Sequence, residues 1–411
     1  MQESDRRTFL AQVAGAAAVV SLFPSVLPAA LRPSAPISVG VVGIGRQGRR
    51  LLGELQKFQG EGTVRVAAIC DVSKQRLDGG LRNTQNAEPF EDYRAMLDKA
   101  KDLQAIIIAT PTHLHKDIAV AALAAGKHVY CEMPMAHTLA DCQEMTRAAR
   151  EAKGIFASGL EGRSNPVYKL AHKFFKTDAV RDLVSMRAQT VLKSAWVSGS
   201  LSDTVNNWRL DPAVSLGLAG EMGVLQYDVF HWFREKYPVS VQGAGSIRFH
   251  NDGRKVHDTI WAVLNWDDGA TLSYEASLAN SYEGRYELIR GSNSAIKLGW
   301  THGWMFKEAD APTQGWEVYA NRQQFHKDEG ITLIADATKL ASQGKLKDGV
   351  GLPESSLHYC LYDFFKSVSE GKPPVASADE GLRATTVAIA AHEAVNSGQT
   401  RKIDPEALRG V

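Results

Sequence analysis

Two stretches hold residues whose types and spacing suit chemistry. The first is GIGRQG, Gly43 to Gly48, where Gly43, Gly45 and Gly48 form G-x-G-x-x-G around Arg46 and Gln47. The first glycine permits a tight turn, the second lets backbone approach a pyrophosphate, and the third lets a helix pack against a strand. Amides at the start of that helix then meet the phosphates. Asp71 stands 23 positions past Gly48, where an acidic side chain binds a ribose 2′-hydroxyl. Its charge favours NAD over NADP by repelling a 2′-phosphate, while Arg46, Lys74 and Arg76 pull the other way. The second stretch is HVYCEMPMAHTL, His128 to Leu139, an apolar run that ends in Glu132, Met133 and Pro134. Turns at strand ends accommodate cis X-Pro bonds, so a cis Met133-Pro134 peptide is expected.

These groups meet only if the surrounding elements bring them together. SVGVV before the glycines reads as a strand, and RRLLGELQKF after them has helical spacing. The alternation continues through the strand VRVAAICD, a helix near Tyr93 to Lys101, the strand Ala105 to Pro111, a helix from Leu114 to Ala125, and the strand His128 to Glu132. Thr138 with Asp141 then has the form of a helix-starting capping box. Apolar strands separated by helices predict an α/β fold with a doubly wound parallel sheet, whose ligands lie at the C-terminal strand ends with Thr110, Pro111 and Glu132. From about Arg163 the pattern changes. DLVSMRAQTV, SVQGAGSIRF, TIWAVLNWDDGATLSYEASL and YELIRGSNSAIKL alternate with period two around turns such as Asp268-Gly269, which predicts an open, mostly antiparallel sheet with one covered face. Two helices close the chain, one carrying Leu357, Leu361, Phe365 and Val368, the other capped by Ser377 and Glu380.

A chain of 411 residues exceeds what one core supports, so two domains are expected. A formal net charge of +1 gives no strong pull toward nucleic acid or anionic membrane. Cys70, Cys131, Cys142 and Cys360 lack metal-ligand or redox spacing and read as core thiols, so no metal is expected. At the N-terminus, Arg6 and Arg7 precede a small-residue apolar run from Val13 to Phe23, too short to span a bilayer. Residues 1–33 therefore read as an export signal and linker resembling the twin-arginine type, which carries folded proteins out of the cytoplasm through its own machinery.

GIGRQG, ATPTHLH, AALAAGKHVYCEMPMAHTL, GRSNP from Gly162 to Pro166, NNWRLDP, GEMGVLQYD and GKPPVASADEGLRAT together resemble the glucose–fructose oxidoreductase, inositol dehydrogenase and rhizopine-catabolism (Gfo/Idh/MocA) superfamily over nearly the whole mature chain. The resemblance implies a Rossmann domain at 36–160, a substrate and oligomerisation α/β domain at 161–411 whose open sheet face joins copies, a nicotinamide cofactor, and a sugar or polyol substrate. It implies that Glu132 holds the nicotinamide ribose or amide, that His115 lies beside the cofactor cleft, and that Trp208 and Arg209 contact cofactor or sugar. The family's usual motif is Glu-Lys-Pro, with the lysine moving the substrate hydroxyl proton; here Met133 replaces it. A second motif usually runs Asp, three residues, His; here the acid is Glu221 and Leu225 takes the histidine position. General acid–base catalysis is worth about a hundred- to ten-thousand-fold, so substitutes are expected among Tyr227, Asp228, His231 and Lys193. His113 and His137 flank the same region, with His137 read as structural.

Outside the cytoplasm no pool of NAD(P) replenishes a lost cofactor. The expectation is therefore an exported NAD(P)-dependent oxidoreductase acting on a sugar, polyol or glycoside hydroxyl, with NAD or NADP tightly bound and recycled in place. Two other readings stay open: redox-neutral glycoside cleavage through transient oxidation at C3, and a sugar-binding protein without turnover.

Overall fold

The computed structural model describes residues 35–84, 86–197, 200, 203, 206–312 and 352–409, with the backbone of two strands at 322–325 and 328–333. The export signal expected at residues 1–33 lies outside them. The chain begins with a six-stranded parallel sheet: β1 (Ile37–Val42), α1 (Arg46–Gly60), β2 (Val64–Cys70), α2 (Lys74–Leu81), β3 (Glu88–Phe90), α3 (Tyr93–Lys99), β4 (Ala105–Ile108), α4 (His115–Ala124), β5 (His128–Cys131), α5 (Leu139–Glu151) and β6 (Phe156–Ser158). Its order is β3-β2-β1-β4-β5-β6. The order reverses between β1 and β4, the crevice where such sheets bind ligands. β1 and β4 are buried throughout, which is why both read as unbroken apolar runs. Thr138 caps α5 by accepting the Asp141 N–H at 3.1 Å, as its spacing predicts.

Two short helices, α6 (Glu161–Ser164) and α7 (Pro166–Lys176), lead into the second sheet. It comprises β7 (Leu183–Val191), then, beyond α8 (Gly217–Glu221) and α9 (Val224–Arg234), β8 (Ser240–Ser246), β9 (Thr259–Asn265), β10 (Thr271–Ser277), β11 (Arg285–Gly291), β12 (Ser294–Leu298), β13 (Gly303–Lys307), β14 (Arg322–Phe325) and β15 (Asp328–Leu333). The chain ends with α10 (Ser356–Glu370), α11 (Ala378–Ser397), the edge strand β16 (Arg401–Lys402) and α12 (Pro405–Arg409). The ten strands run β14-β15-β13-β12-β11-β7-β10-β9-β8-β16, antiparallel except where β7 meets β10. Inward residues such as Met186, Ala188, Leu272 and Tyr274 pack under the helices; Trp261 and Phe306 face outward. Among the described residues no helix is long and apolar enough to cross a membrane.

The sequence assigns the C-terminal helices to the second domain, but packing divides them differently. Leu357, Cys360, Leu361, Phe364 and Phe365 of α10 join the core of the first sheet, beside Phe58 and Tyr130. α11 serves both sides, with Ala378 and Leu382 against the first domain and Val387 to Val395 in the core of the second. All four cysteines are buried, unpaired thiols, consistent with the core reading.

Candidate active site

The glycine turn forms as its spacing requires. Gly43 has φ +94°, and a Cβ there would lie 2.6 Å from the Ala109 carbonyl; at Gly48 it would lie 1.8 Å from the Gly43 oxygen. The turn is thus compressed against the end of β4, and α1 starts directly on it with Gly45 at its N-cap. Asp71 braces the arrangement: one carboxylate oxygen accepts the Ile44 N–H at 2.7 Å, the other the Ser73 N–H at 2.8 Å, and Arg76 stands 3.9 Å away. Gln47, in the first turn of that helix, reaches across the crevice to the Glu132 carboxylate at 3.0 Å.

The ends of β4 and β5 form the opposite wall. The Thr110 hydroxyl and His113 Nδ1 are buried without a partner among the described residues, and Pro111 lies between them. The ring of His113 meets those of His137 and Trp208 edge-on, at 6.0 and 6.2 Å. The Met133-Pro134 peptide is cis. Met133 fills the seam between the two domains, touching both cores, and the Met135 N–H donates to Thr385 of α11 at 3.0 Å. Burial, followed by the nearby charge of Glu161, pushes the Glu132 carboxyl up to about 7.

A strap from the second domain closes the crevice. The Arg209 guanidinium lies 4.3 Å above the Trp208 ring and 5.8 Å from that of Trp196, within the fields of Glu221, Arg46 and Glu132. Glu221, at the end of α8, accepts the Thr112 hydroxyl at 3.1 Å and the Leu216 N–H at 3.3 Å, tying strap to sheet. Burial raises its carboxyl above the ordinary range, against the pull of Arg209.

Of the proton-handling candidates, only Glu221 lies in this cleft. Asp228 instead takes a two-pronged bond from Arg163 (2.9 and 2.8 Å), with both residues buried, so it balances an interior charge. His231 stacks on Tyr237 at 3.5 Å with both ring nitrogens occupied by Lys236 O and the Tyr237 hydroxyl; burial holds it neutral, down to about 4. Lys193 is exposed, its ammonium 5.5 Å above the Phe249 ring. Tyr227 packs edge-on against Tyr274 in the core. His115 also differs from its expected role: it is buried, with ring nitrogens 2.9 Å from the Thr110 carbonyl and 3.1 Å from that of Pro134, so it clamps the two strand ends behind the cleft. Conversely, the sequence reading passes over Glu161 and Arg285. Glu161 immediately precedes the GRSNP segment and is buried within the field of Glu132, and the charge of Arg285 acts on Glu161 in turn.

Compressed glycines, an anion-receptive helix start and unsatisfied polar atoms at the strand ends fit a dinucleotide lying across the switch point. Family profiles agree: "Oxidoreductase family, NAD-binding Rossmann fold" matches residues 37–160, and "Oxidoreductase family, C-terminal alpha/beta domain" matches residues 190–403. Levoglucosan dehydrogenase of Pseudarthrobacter phenanthrenivorans is 25% identical over 72% of this chain and 78% of its own. The 2,7-anhydro-N-acetylneuraminate hydratase of Escherichia coli is 23% identical over 64% of this chain and 67% of its own. A solved levoglucosan dehydrogenase complex with NADH and L-sorbose shares the fold, with a TM-score of 0.73 at 20% identity, covering 90% of this chain and 99% of that one. Profile matches across both domains, over a cradle built as the first of them requires, show that this chain belongs to the Gfo/Idh/MocA oxidoreductase family.

Proposed function

We propose that the protein is an exported oxidoreductase that uses a tightly held NAD or NADP to oxidise a hydroxyl of a sugar, polyol or glycoside, recycling the cofactor in place. The observation carrying this reading is the cradle: at Gly43 and Gly48 no side chain fits, leaving bare backbone at the start of α1 beside a Thr110 hydroxyl that has no partner among the described residues. When bound, the nicotinamide supplies a hydride acceptor. The chain's own residues do the rest. Backbone of the glycine turn and the start of α1 would hold the pyrophosphate, with Asp71 already fixing the turn from beneath. The Trp208–Arg209 strap covers the opening and excludes water, and Glu221 orients it through Thr112. The double arginine and short apolar run near the N-terminus support export. The outward Trp261 and Phe306 support assembly through the open sheet; a Trp261→Glu variant would then run smaller in light scattering.

Mass spectrometry of small molecules released on denaturing the purified exported protein tests the reading. Stoichiometric NAD or NADP is expected; protein that arrives empty and retains neither nucleotide when supplied would overturn it. A second reading, redox-neutral cleavage or hydration through transient oxidation, is favoured by the absence of the usual lysine and histidine at Met133 and Leu225 and by the hydratase among the relatives. Product analysis with glycosides distinguishes the two, since only this route breaks or hydrates a bond without net NADH.

A further inference from the structure

Glu132 and Glu161 leave the ends of two neighbouring parallel strands. β5 and β6 pair as far as Cys131 and Ser158, and the Gly159 N–H extends the ladder to the Cys131 carbonyl at 2.8 Å. Gly159 must be small, because a Cβ there would lie 2.9 Å from the Tyr130 hydroxyl. The chain then turns tightly, Leu160 N–H to Ser158 O at 2.7 Å and Glu161 N–H to Gly159 O at 3.0 Å, which sets Glu161 beside the exit of Glu132. Glu161 is 8% exposed, and among the described residues no donor reaches its carboxylate. Glu132 is anchored at one oxygen, Oε1, by Gln47 at 3.0 Å and Tyr130 at 3.5 Å; among the described residues its Oε2 has no partner.

The charged and titratable groups facing this pair come from every side: Arg50 and Glu54 on α1, Tyr130 and Cys131 on β5, Arg209 on the strap, Arg285 on β11 and Cys360 on α10. Among the described residues, none of these arginines closes to an ion pair with either acid. Arg285 lies instead over the Trp300 ring at 3.6 Å, with Nε and Nη2 buried and without a partner among the described residues. A carboxylate without a protein donor, beside a guanidinium whose buried Nε and Nη2 find no acceptor among the described residues, is polar capacity that those residues do not fill.

We propose that Glu132 Oε2 is the acceptor for the substrate hydroxyl proton, with Glu161, set beside it by the turn after β6, a positioning residue that governs when that oxygen is free to accept. This rests on the dehydrogenase reading above. In the step, the substrate C–H bond breaks with both electrons going to the nicotinamide as hydride, the O–H proton passes to Glu132 Oε2, and the O–H electron pair closes the C=O. Burial and the charge of Glu161 bring Glu132 up to about 7, where a base is both available and strong enough at neutral pH. The pair would thus replace the lysine missing at Met133.

A positive nicotinamide beside the pair favours its ionised form, whereas the neutral reduced ring does not, so proton and nucleotide binding are linked. The test equilibrates the protein with equal concentrations of NAD+ and NADH from pH 5.5 to 8.5, removes free nucleotide, denatures, and quantifies the bound ratio. Bound NAD+ relative to NADH is expected to fall up to about tenfold per pH unit below neutrality. Glu161→Gln should move that fall to lower pH by removing a like charge. Arg50→Gln, at an exposed site, should move it higher by removing a cation, and opposite shifts cannot both arise from misfolding. A ratio independent of pH, or a Glu161→Gln profile superimposable on the parent's, would overturn the proposal. Retention of neither nucleotide at any pH would overturn the dehydrogenase reading itself, and the pair with it.

Discussion

At the scale of single residues, an acid's chemistry here follows from its partner. Asp228 and Glu132 are both inward carboxylates, yet Asp228 is neutralised by a two-pronged arginine, whereas among the described residues Glu132 keeps one oxygen without a partner. Removing one member of a buried pair costs about 3–5 kcal/mol, because the other charge is left without compensation. Asp228→Asn should therefore lower the melting temperature markedly through stranded Arg163, while NAD+ affinity per folded molecule stays as it was. A stable variant with lost nucleotide binding would return Asp228 to the cleft. Sequence offers no view of this difference. Asp228 and His231 share a helix face three residues apart, but Arg163 lies 65 positions away and pairs with Asp228 only when α6 meets α9. Glu161 is hidden for the same reason, since its setting depends on the strand beside it and on Arg285 from the second sheet.

At the scale of elements, the parts legible in advance are those whose geometry is local. The glycine turn, the Thr138 cap, the cis Met133-Pro134 peptide and the Ser377–Glu380 capping box each follow from residues within a few positions of one another. The boundaries of α10 and α11 also follow from local pattern, but their partners do not, because an amphipathic helix shows that it has a core face without showing which core. The glycine turn gives the sharpest test. Gly43→Ala puts a methyl 2.6 Å from the Ala109 carbonyl at a positive φ, so the turn or the end of β4 must move. Nucleotide affinity should fall at least tenfold in equilibrium titration, whereas Gly53→Ala, in the same α1 with nothing within 4 Å of its added methyl, should bind as the parent does. Equal loss in both variants would mean that the cradle does not hold the cofactor.

At the scale of the whole molecule, the chain returns to its beginning. Near the start of α10, Ser355 and His358 bond Glu54 of α1 at 2.8 and 3.2 Å, and the Lys57 ammonium sits 2.9 Å from Glu54 and 2.6 Å from Glu354, filling the place a cation would take. Burial opposes ionisation of Glu54, yet bonds from His358, Lys57 and Ser355 outweigh it and bring the carboxyl down to about 2. A depressed folded value means stabilisation that is present above pH 4.5 and lost as pH falls toward 2, worth at most about 3 kcal/mol. Denaturant titrations from pH 5 to 2 should show a steeper loss of stability for the parent than for Glu54→Gln; parallel curves would remove this tie from the account. Packing along the same contact decides whether the first domain can stand alone. Five α10 side chains, Leu357, Cys360, Leu361, Phe364 and Phe365, are buried against Phe58, Tyr130 and the first sheet. Burying a large apolar side chain contributes about 1.5–3 kcal/mol, so losing α10 removes on the order of 10 kcal/mol, comparable to the entire stability of a typical domain. A fragment of residues 36–160, although it contains every strand of the first sheet and the whole glycine cradle, should therefore show no cooperative thermal transition and should expose apolar surface to a hydrophobic dye. A sharp melt from that fragment would mean that α1 and the sheet close their own core, and that the chain's return serves the cleft alone.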